Sequence, residues 1–193
     1  MVHPDTSDRF TRFVSRLNSM IGAEPDIQEV PPRVPDDGPV LALVYANAPE
    51  PGWVSGFTYG LSLGRQAGSV PHARELCITM RSSDPAWARI PAVTVAALRG
   101  MCPFDPEMVI GYMKPYVPAS GLSSLLLGTP PSELALADRI DLATSDAHPV
   151  DLVEIVGAYP IYASERNFIH AQGAEELWKS GWDPFDPVRQ AVV

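Results

Sequence analysis

The segment Gly60-Leu61-Ser62-Leu63-Gly64 spells G-x-S-x-G, a pattern that raises a serine hydroxyl on a tight turn as an acyl-transfer nucleophile. That chemistry needs a strand before the serine and a helix after it. A strand is readable upstream, but Arg65-Gln66-Ala67-Gly68-Ser69-Val70-Pro71 follows, and its composition is that of a loop. Asp146 with His148 or His170 has the chain order of triad partners, yet nothing else in their surroundings recommends them. Ser62 reads instead as the continuation of a strand's small-residue face. Cys77, five residues after His72, is a second possible nucleophile, and a buried structural thiol is the commoner role for such a cysteine. The four histidines are dispersed without HxxxH or HxxE spacing, and Cys77 and Cys102 form no CxxC pair. GxxxxGK and GxGxxG are absent. The expectation is a chain with no catalytic residue, no metal and no cofactor.

Charge points towards association. The 193 residues carry a net charge of -9, with a pI near 4.8. Phosphate neutralisation needs clustered Lys and Arg, so direct binding to nucleic acid is not expected. From Glu133 to Glu154 the acidic residues Glu133, Asp138, Asp141, Asp146, Asp151 and Glu154 face Arg139 alone. Asp138, Asp141, Asp146 and Asp151 are therefore the candidate partner-binding residues, suited to a basic protein surface. The apolar runs reach about seven residues, far below the ~20 that span a bilayer, so no membrane partner is expected. The opening Met1-Val2-His3-Pro4-Asp5 lacks a basic-then-apolar leader, which fits the cytoplasm.

The elements follow from periodicity. Phe10, Phe13, Val14, Leu17, Met20 and Ile21 recur at helical spacing and predict an N-terminal helix within residues 1–22. Residues 23–39, acidic and proline-rich, read as a surface connection. Residues 40–182 form the core and 183–193 a C-terminal tail, all within one domain. Val40 to Tyr45 is an apolar run fit for a buried strand. Trp53, Phe57, Tyr59, Leu61 and Leu63 alternate with small residues, as in a strand packed on one face. Leu76, Ile78 and Met80 mark a third strand. Ser82-Ser83-Asp84-Pro85 opens a helix that Pro91 should kink or restart and Gly100 ends. Residues 108–112, 122–127, 138–143 and 150–156 read as further strands. A turn is expected at Gly157 and Pro160, then a helix broken at Gly173. Grouped strands without a βαβ series give an α+β domain: a central mixed, largely antiparallel sheet flanked by helices.

Three ordered blocks carry a resemblance. The first is Gly52-Trp53-Val54-Ser55-Gly56-Phe57-Thr58-Tyr59-Gly60-Leu61-Ser62. The second is Glu75-Leu76-Cys77-Ile78-Thr79-Met80-Arg81-Ser82 followed by Trp87. The third is the strand from Asp151, then Pro160-Ile161-Tyr162, Glu165, Phe168 and Gly173-Ala174-Glu175-Glu176-Leu177. Together, over residues 40 to 180, the chain resembles the suppressor-of-fused domain family, bacterial single-domain type. The resemblance implies a mixed sheet with flanking helices and no catalysis. It implies protein binding: eukaryotic members sequester a transcription factor, gripping an extended peptide by strand addition between two domains. Bacterial members stand alone, many as immunity proteins that neutralise polymorphic toxins. This chain has the bacterial length, so no eukaryotic binding residue is carried over. The expected function is a non-catalytic binding domain, an immunity protein sequestering a basic secreted toxin. The alternatives are a regulatory or scaffold domain that binds a peptide segment, and a serine or cysteine hydrolase. The oligomeric state is left open.

Overall fold

The computed structural model describes residues 4–63, 73–143 and 151–193, with side chains from residue 8 onward. Fourteen elements precede or surround one another in this order: α1 (Pro4–Ile21), β1 (Asp26–Val30), a 3-10 turn (Pro35–Asp37), β2 (Val40–Ala46), β3 (Val54–Tyr59), β4 (Ala73–Met80) and α2 (Ala86–Leu98). Then come β5 (Val109–Gly111), β6 (Ser124–Gly128), a 3-10 turn (Ser132–Leu134), β7 (Arg139–Asp141), β8 (Leu152–Ile161), α3 (Ala163–Gln172) and α4 (Ala174–Lys179). The eight strands make one sheet in the order β1-β2-β3-β4-β8-β6-β5, with β7 also on β8. Every pairing is antiparallel except β4 with β8. The α+β, mixed-sheet expectation holds.

Because strand side chains alternate, each strand feeds two cores. On one face Val40, Ala42, Val44, Leu76, Ile78, Met80, Val156 and Ala158 pack against α2. On the other, Leu43, Tyr45, Phe57, Tyr59, Cys77, Val153 and Ile155 pack against Phe13 and Leu17 of α1. Farther along, Leu126, Tyr159 and Ile161 receive Ile169 of α3, Leu177 of α4 and Trp182.

Four details depart from the sequence reading. The connection 23–39 contains β1, an edge strand paired with β2 from Asp26↔Val44 to Val30↔Val40. Its exposed, acidic side chains hid its strand character. The alternating segment of β3 is buried on both faces, not one. Gly56 is the reason: a Cβ there would lie 2.0 Å from the Ala88 carbonyl oxygen, so α2 rests on bare backbone. Helix α2 runs through Pro91, whose buried ring lies among the helix's sheet-facing residues. The side chain of Asp84 caps its start by accepting from Ala86 N–H at 2.9 Å.

The fourth is β8, which does not turn at Gly157 and Pro160 but continues to Ile161. Gly157 is required because a Cβ would come within 2.3 Å of the Thr129 carbonyl oxygen. Pro160 is tolerated through geometry. It lies opposite Leu125 of β6, beyond the end of the β4 ladder at Cys77↔Gly157. In an antiparallel strand a residue's N and C=O share a side. The Pro160 carbonyl accepts from Arg189 Nη2 at 3.3 Å, so its hydrogen-bonding side is turned away from β6 and no ladder bond is lost.

Gly56→Ala should therefore lower stability by about 1–3 kcal/mol through overpacking against backbone that cannot yield. Gly128→Ala, whose Cβ would meet only the Tyr159 ring at 3.5 Å, should be tolerated. Urea midpoints of the two variants check this; equal midpoints would show that α2 does not rest on Gly56.

Candidate functional site

The first and second blocks of sequence meet around one buried carboxylate. Glu75 of β4 is fully enclosed. It accepts from Thr58 Oγ1 at 2.5 Å and from the backbone N–H groups of Gly60 (2.8 Å), Leu61 (3.3 Å) and Ser62 (3.0 Å). Arg99, at the end of α2, donates to the Gly60 carbonyl at 2.8 Å and to the carbonyls of Asp37 and Gly38 at 2.5 Å each. The turn after β3 is thus clamped by one charge from each side. Gly60 adopts φ 134°, which suits only glycine.

This geometry answers the G-x-S-x-G pattern. Ser62 lies past the strand, in a turn whose N–H groups Glu75 consumes, and its Oγ accepts from Arg9 Nη1 at 3.0 Å. His170 sits on exposed α3, whose core partners are those of Trp182, while Ser62 is tied to α1. His72 and His148 lie outside the described residues. Cys77 is buried in the α1 core, and burial pushes its thiol pKa well up, which disfavours the thiolate. Among the described residues no group of His, Cys, Asp and Glu has metal-binding geometry, and no helix is long and apolar enough to cross a membrane.

Of the candidate aspartates, Asp138, Asp141 and Asp151 lie among the described residues. Asp151 is engaged by Arg9, which donates from Nε at 3.0 Å and from Nη2 at 3.0 Å in a bidentate pair. Arg9 also lies 5.9 Å from the Tyr59 ring centroid. Asp141 and Asp138 are exposed at the two ends of β7, with Arg139 between them. The Asp141 carboxylate accepts from Ala143 N–H at 2.8 Å, and a shallow groove joins Asp141 to Arg16 of α1 and Arg139. Asp146 falls outside the described residues. Glu154 is likewise paired, with Arg74 at 2.6 Å. Arg9 and Arg74 lie far from 133–154 in sequence, so composition within that stretch could not reveal them.

The sheet's acidic character is concentrated at its β1 edge. Asp26, Ile27 and Glu29 are exposed there, Glu24 just precedes them, and no described strand pairs the outer side. Gln28 Nε2 donates to Asp26 at 2.6 Å, and no cation among the described residues pairs with Glu24, Asp26 or Glu29.

The C-terminal residues are bound to the body by a second buried charge pair. Arg189 donates to Glu165 from Nη1 at 2.5 Å and from Nη2 at 2.6 Å. Its guanidinium lies 4.5 Å from the Trp182 ring centroid and 5.2 Å from that of Tyr162. Glu165 also accepts from the N–H of Tyr162 at 2.8 Å and of Val192 at 3.2 Å. Burial opposes its ionisation, but these hydrogen bonds, those from Arg189 foremost, outweigh it and hold the carboxyl below its ordinary pKa. Arg81 N–H donates to the Phe185 carbonyl at 2.9 Å, and the Arg81 side chain pairs with Asp183.

A group with a depressed folded pKa contributes stability that is complete above its ordinary value and lost as pH falls through the folded one. Acidification below the ordinary Glu165 value of 4.5 should therefore release residues 183–192. Glu165→Gln should loosen them at neutral pH, costing roughly 3 kcal/mol for an unpaired buried arginine. Amide exchange at Val192 and Arg81 reads both; full protection at pH 3 would show that the pair does not hold this segment.

With this geometry in place, comparison with known proteins is direct. The family model described as suppressor of fused protein matches residues 37–190. A suppressor of fused homolog from Neisseria gonorrhoeae superposes with a TM-score of 0.71 at 17% identity, over 97% of this chain and 98% of that one. Drosophila suppressor of fused gives 0.66 at 11% identity over 96% of this chain, which spans 51% of the Drosophila chain. A chain of the Sufu-Fu complex gives 0.60 at 13% identity, covering 94% and 91%. No curated protein matches by sequence. The turn clamped by Glu75 and Arg99, the mixed sheet from β2 onward and the Glu165 helix all fall inside the matched segment, and the chain belongs to the suppressor of fused family.

Proposed function

We propose that this chain is a non-catalytic partner-binding domain and that the β1 edge is where it grips. The observation that carries the reading is the unpaired acidic strand edge of Asp26–Val30, which offers open backbone groups beside uncompensated carboxylates. An extended basic segment laid along it would gain main-chain hydrogen bonds from β-augmentation and specificity from the exposed Ile27 and the flanking acids. Family membership supports protein binding as the activity, since a similar fold occurs in the Sufu-Fu complex.

The partner we assign is a basic polymorphic toxin, neutralised in the cytoplasm, with this chain as its immunity protein. Support comes from the net charge of -9, and from the like-sized bacterial homolog that the chain covers almost end to end. Asp138 and Asp141, exposed at the ends of β7, are retained as secondary contacts; Asp151 is committed to Arg9.

Pull-down of the tagged chain from its native lysate, with and without the neighbouring gene products, should yield one stoichiometric partner. Asp26→Lys with Glu29→Lys should slow association by roughly tenfold and flatten its salt dependence. Asp138→Lys with Asp141→Lys should do less. Loss on the β7 pair and not the β1 pair would move the interface to β7; several weak partners in place of one would favour the regulatory reading.

A further inference from the structure

A row of aromatic rings runs from Trp53, just before β3, through Tyr159 of β8 to Trp182 near the C-terminus. Trp53 lies 5.5 Å from Phe185, Phe185 6.4 Å from Tyr159, Tyr159 5.0 Å from Trp178, and Trp178 5.0 Å from Trp182, between centroids. Each end of this row already carries an arginine. Arg81 lies 5.6 Å from the Trp53 centroid, and Arg189 lies 4.5 Å from the Trp182 centroid. The middle tryptophan, Trp178, carries none, and it is the most open of the large aromatic residues at this end, 40% exposed.

Trp178 lines a cleft of ≈ 550 Å³ together with Tyr159, Phe185, Pro130, Pro131 and Glu133. The Glu133 carboxylate is exposed, accepts only a bond from Ser132 Oγ at 3.2 Å, and meets no cation among the described residues. Its field reaches the ring at the cleft base: after burial and Cys77, Glu133 helps to push the Tyr159 phenol pKa up. Tyr159 is fixed there by donating to the Thr129 carbonyl at 2.7 Å. Lys179, the nearest cation in sequence, is occupied at 2.9 Å by both Glu175 and Glu176.

We infer that this cleft is a third cation seat, for an arginine side chain supplied by a partner protein, with Trp178 as the stacking face and Glu133 as the counter-charge. Tryptophan is the best cation–π acceptor among the aromatic side chains, and a planar guanidinium can stack on it while donating to a carboxylate. Half-buried Pro130 presents a rigid apolar rim against which the neighbouring residues of an extended segment can lie. The seat extends the protein-binding reading to a second surface and depends on that reading for its partner, though not on the β1 edge.

The test follows the tryptophan indole N–H resonances of the full 15N-labelled chain, with Trp178 assigned through Trp178→Phe. The probes are acetyl-Pro-Arg-Pro-amide and the same peptide with neutral citrulline in place of arginine. The Trp178 resonance should shift saturably, with the arginine peptide binding roughly three- to tenfold tighter than the citrulline one. Glu133→Gln should remove most of that difference while leaving citrulline binding unchanged. A stationary Trp178 signal, or equal affinity for the two peptides, overturns the seat. Neither result touches the β1 edge, which the pull-down variants read separately.

Discussion

The parallel pairing of β4 with β8, from Ala73↔Val153 to Cys77↔Gly157, holds the rest of the structure together. On one side of it β1 to β4 form an antiparallel meander; on the other β8, β6 and β5 form a second antiparallel set. A parallel ladder between strands so far apart in sequence must be bridged by a long crossover, and its bonds are slanted and slightly weaker than antiparallel ones. Burial on both faces compensates. Leu76 and Val156 lie under the α2 core, while Cys77, Val153 and Ile155 lie under α1. Loss of this seam would leave the Glu75 clamp on one fragment and the Glu165 clamp on the other.

Each half is in turn fixed by a buried carboxylate, and the two are solved differently. Glu75 is satisfied almost entirely by backbone N–H groups, so its charge disperses over dipoles and needs no nearby cation. Glu165 is satisfied by a guanidinium that is itself stacked between Trp182 and Tyr162. Buried ion pairs contribute little net stability over an apolar replacement, but breaking one partner is costly. Their effect here is to specify position: Glu75 sets the path of the turn after β3, and Glu165 sets where residues 183–192 lie.

What was legible in the sequence was whatever short-range pattern encodes. Phe13 and Leu17 announced α1; Leu76, Ile78 and Met80 announced β4; Gly173 announced the break between α3 and α4. The failures share a cause, which is dependence on a distant partner. Gly157 and Pro160 look like turn residues until Thr129 and Arg189 are seen to require a bare Cα and an outward carbonyl. Gly56 looks like one small residue in a one-sided strand until α2 closes on it. β1 has one pairing neighbour and little apolar content, so its strand character comes from β2. Asp151 looks like part of an acidic patch because its compensating arginine, Arg9, comes from α1.

That last point alters how the net charge acts. A carboxylate already in a bidentate pair presents a compact dipole, and its field falls off faster than that of a lone charge. Asp151 with Arg9 is of this kind, so it contributes little to long-range attraction, while Arg74 is shared between Glu154 and Asp105. Glu24, Asp26, Glu29 and Glu133 have no such partner among the described residues. A basic partner approaching in dilute salt is then drawn by these uncompensated charges, over a distance of about 10 Å at 0.1 M ionic strength. The three on the β1 side lie where open backbone groups can convert attraction into ordered pairing. Glu133 lies where an open tryptophan can do so. In the proposed reading steering and docking coincide at places set by the sheet, whereas two acids of the stretch most conspicuous in the sequence, Asp151 and Glu154, are engaged in fastening α1 and β4 to β8.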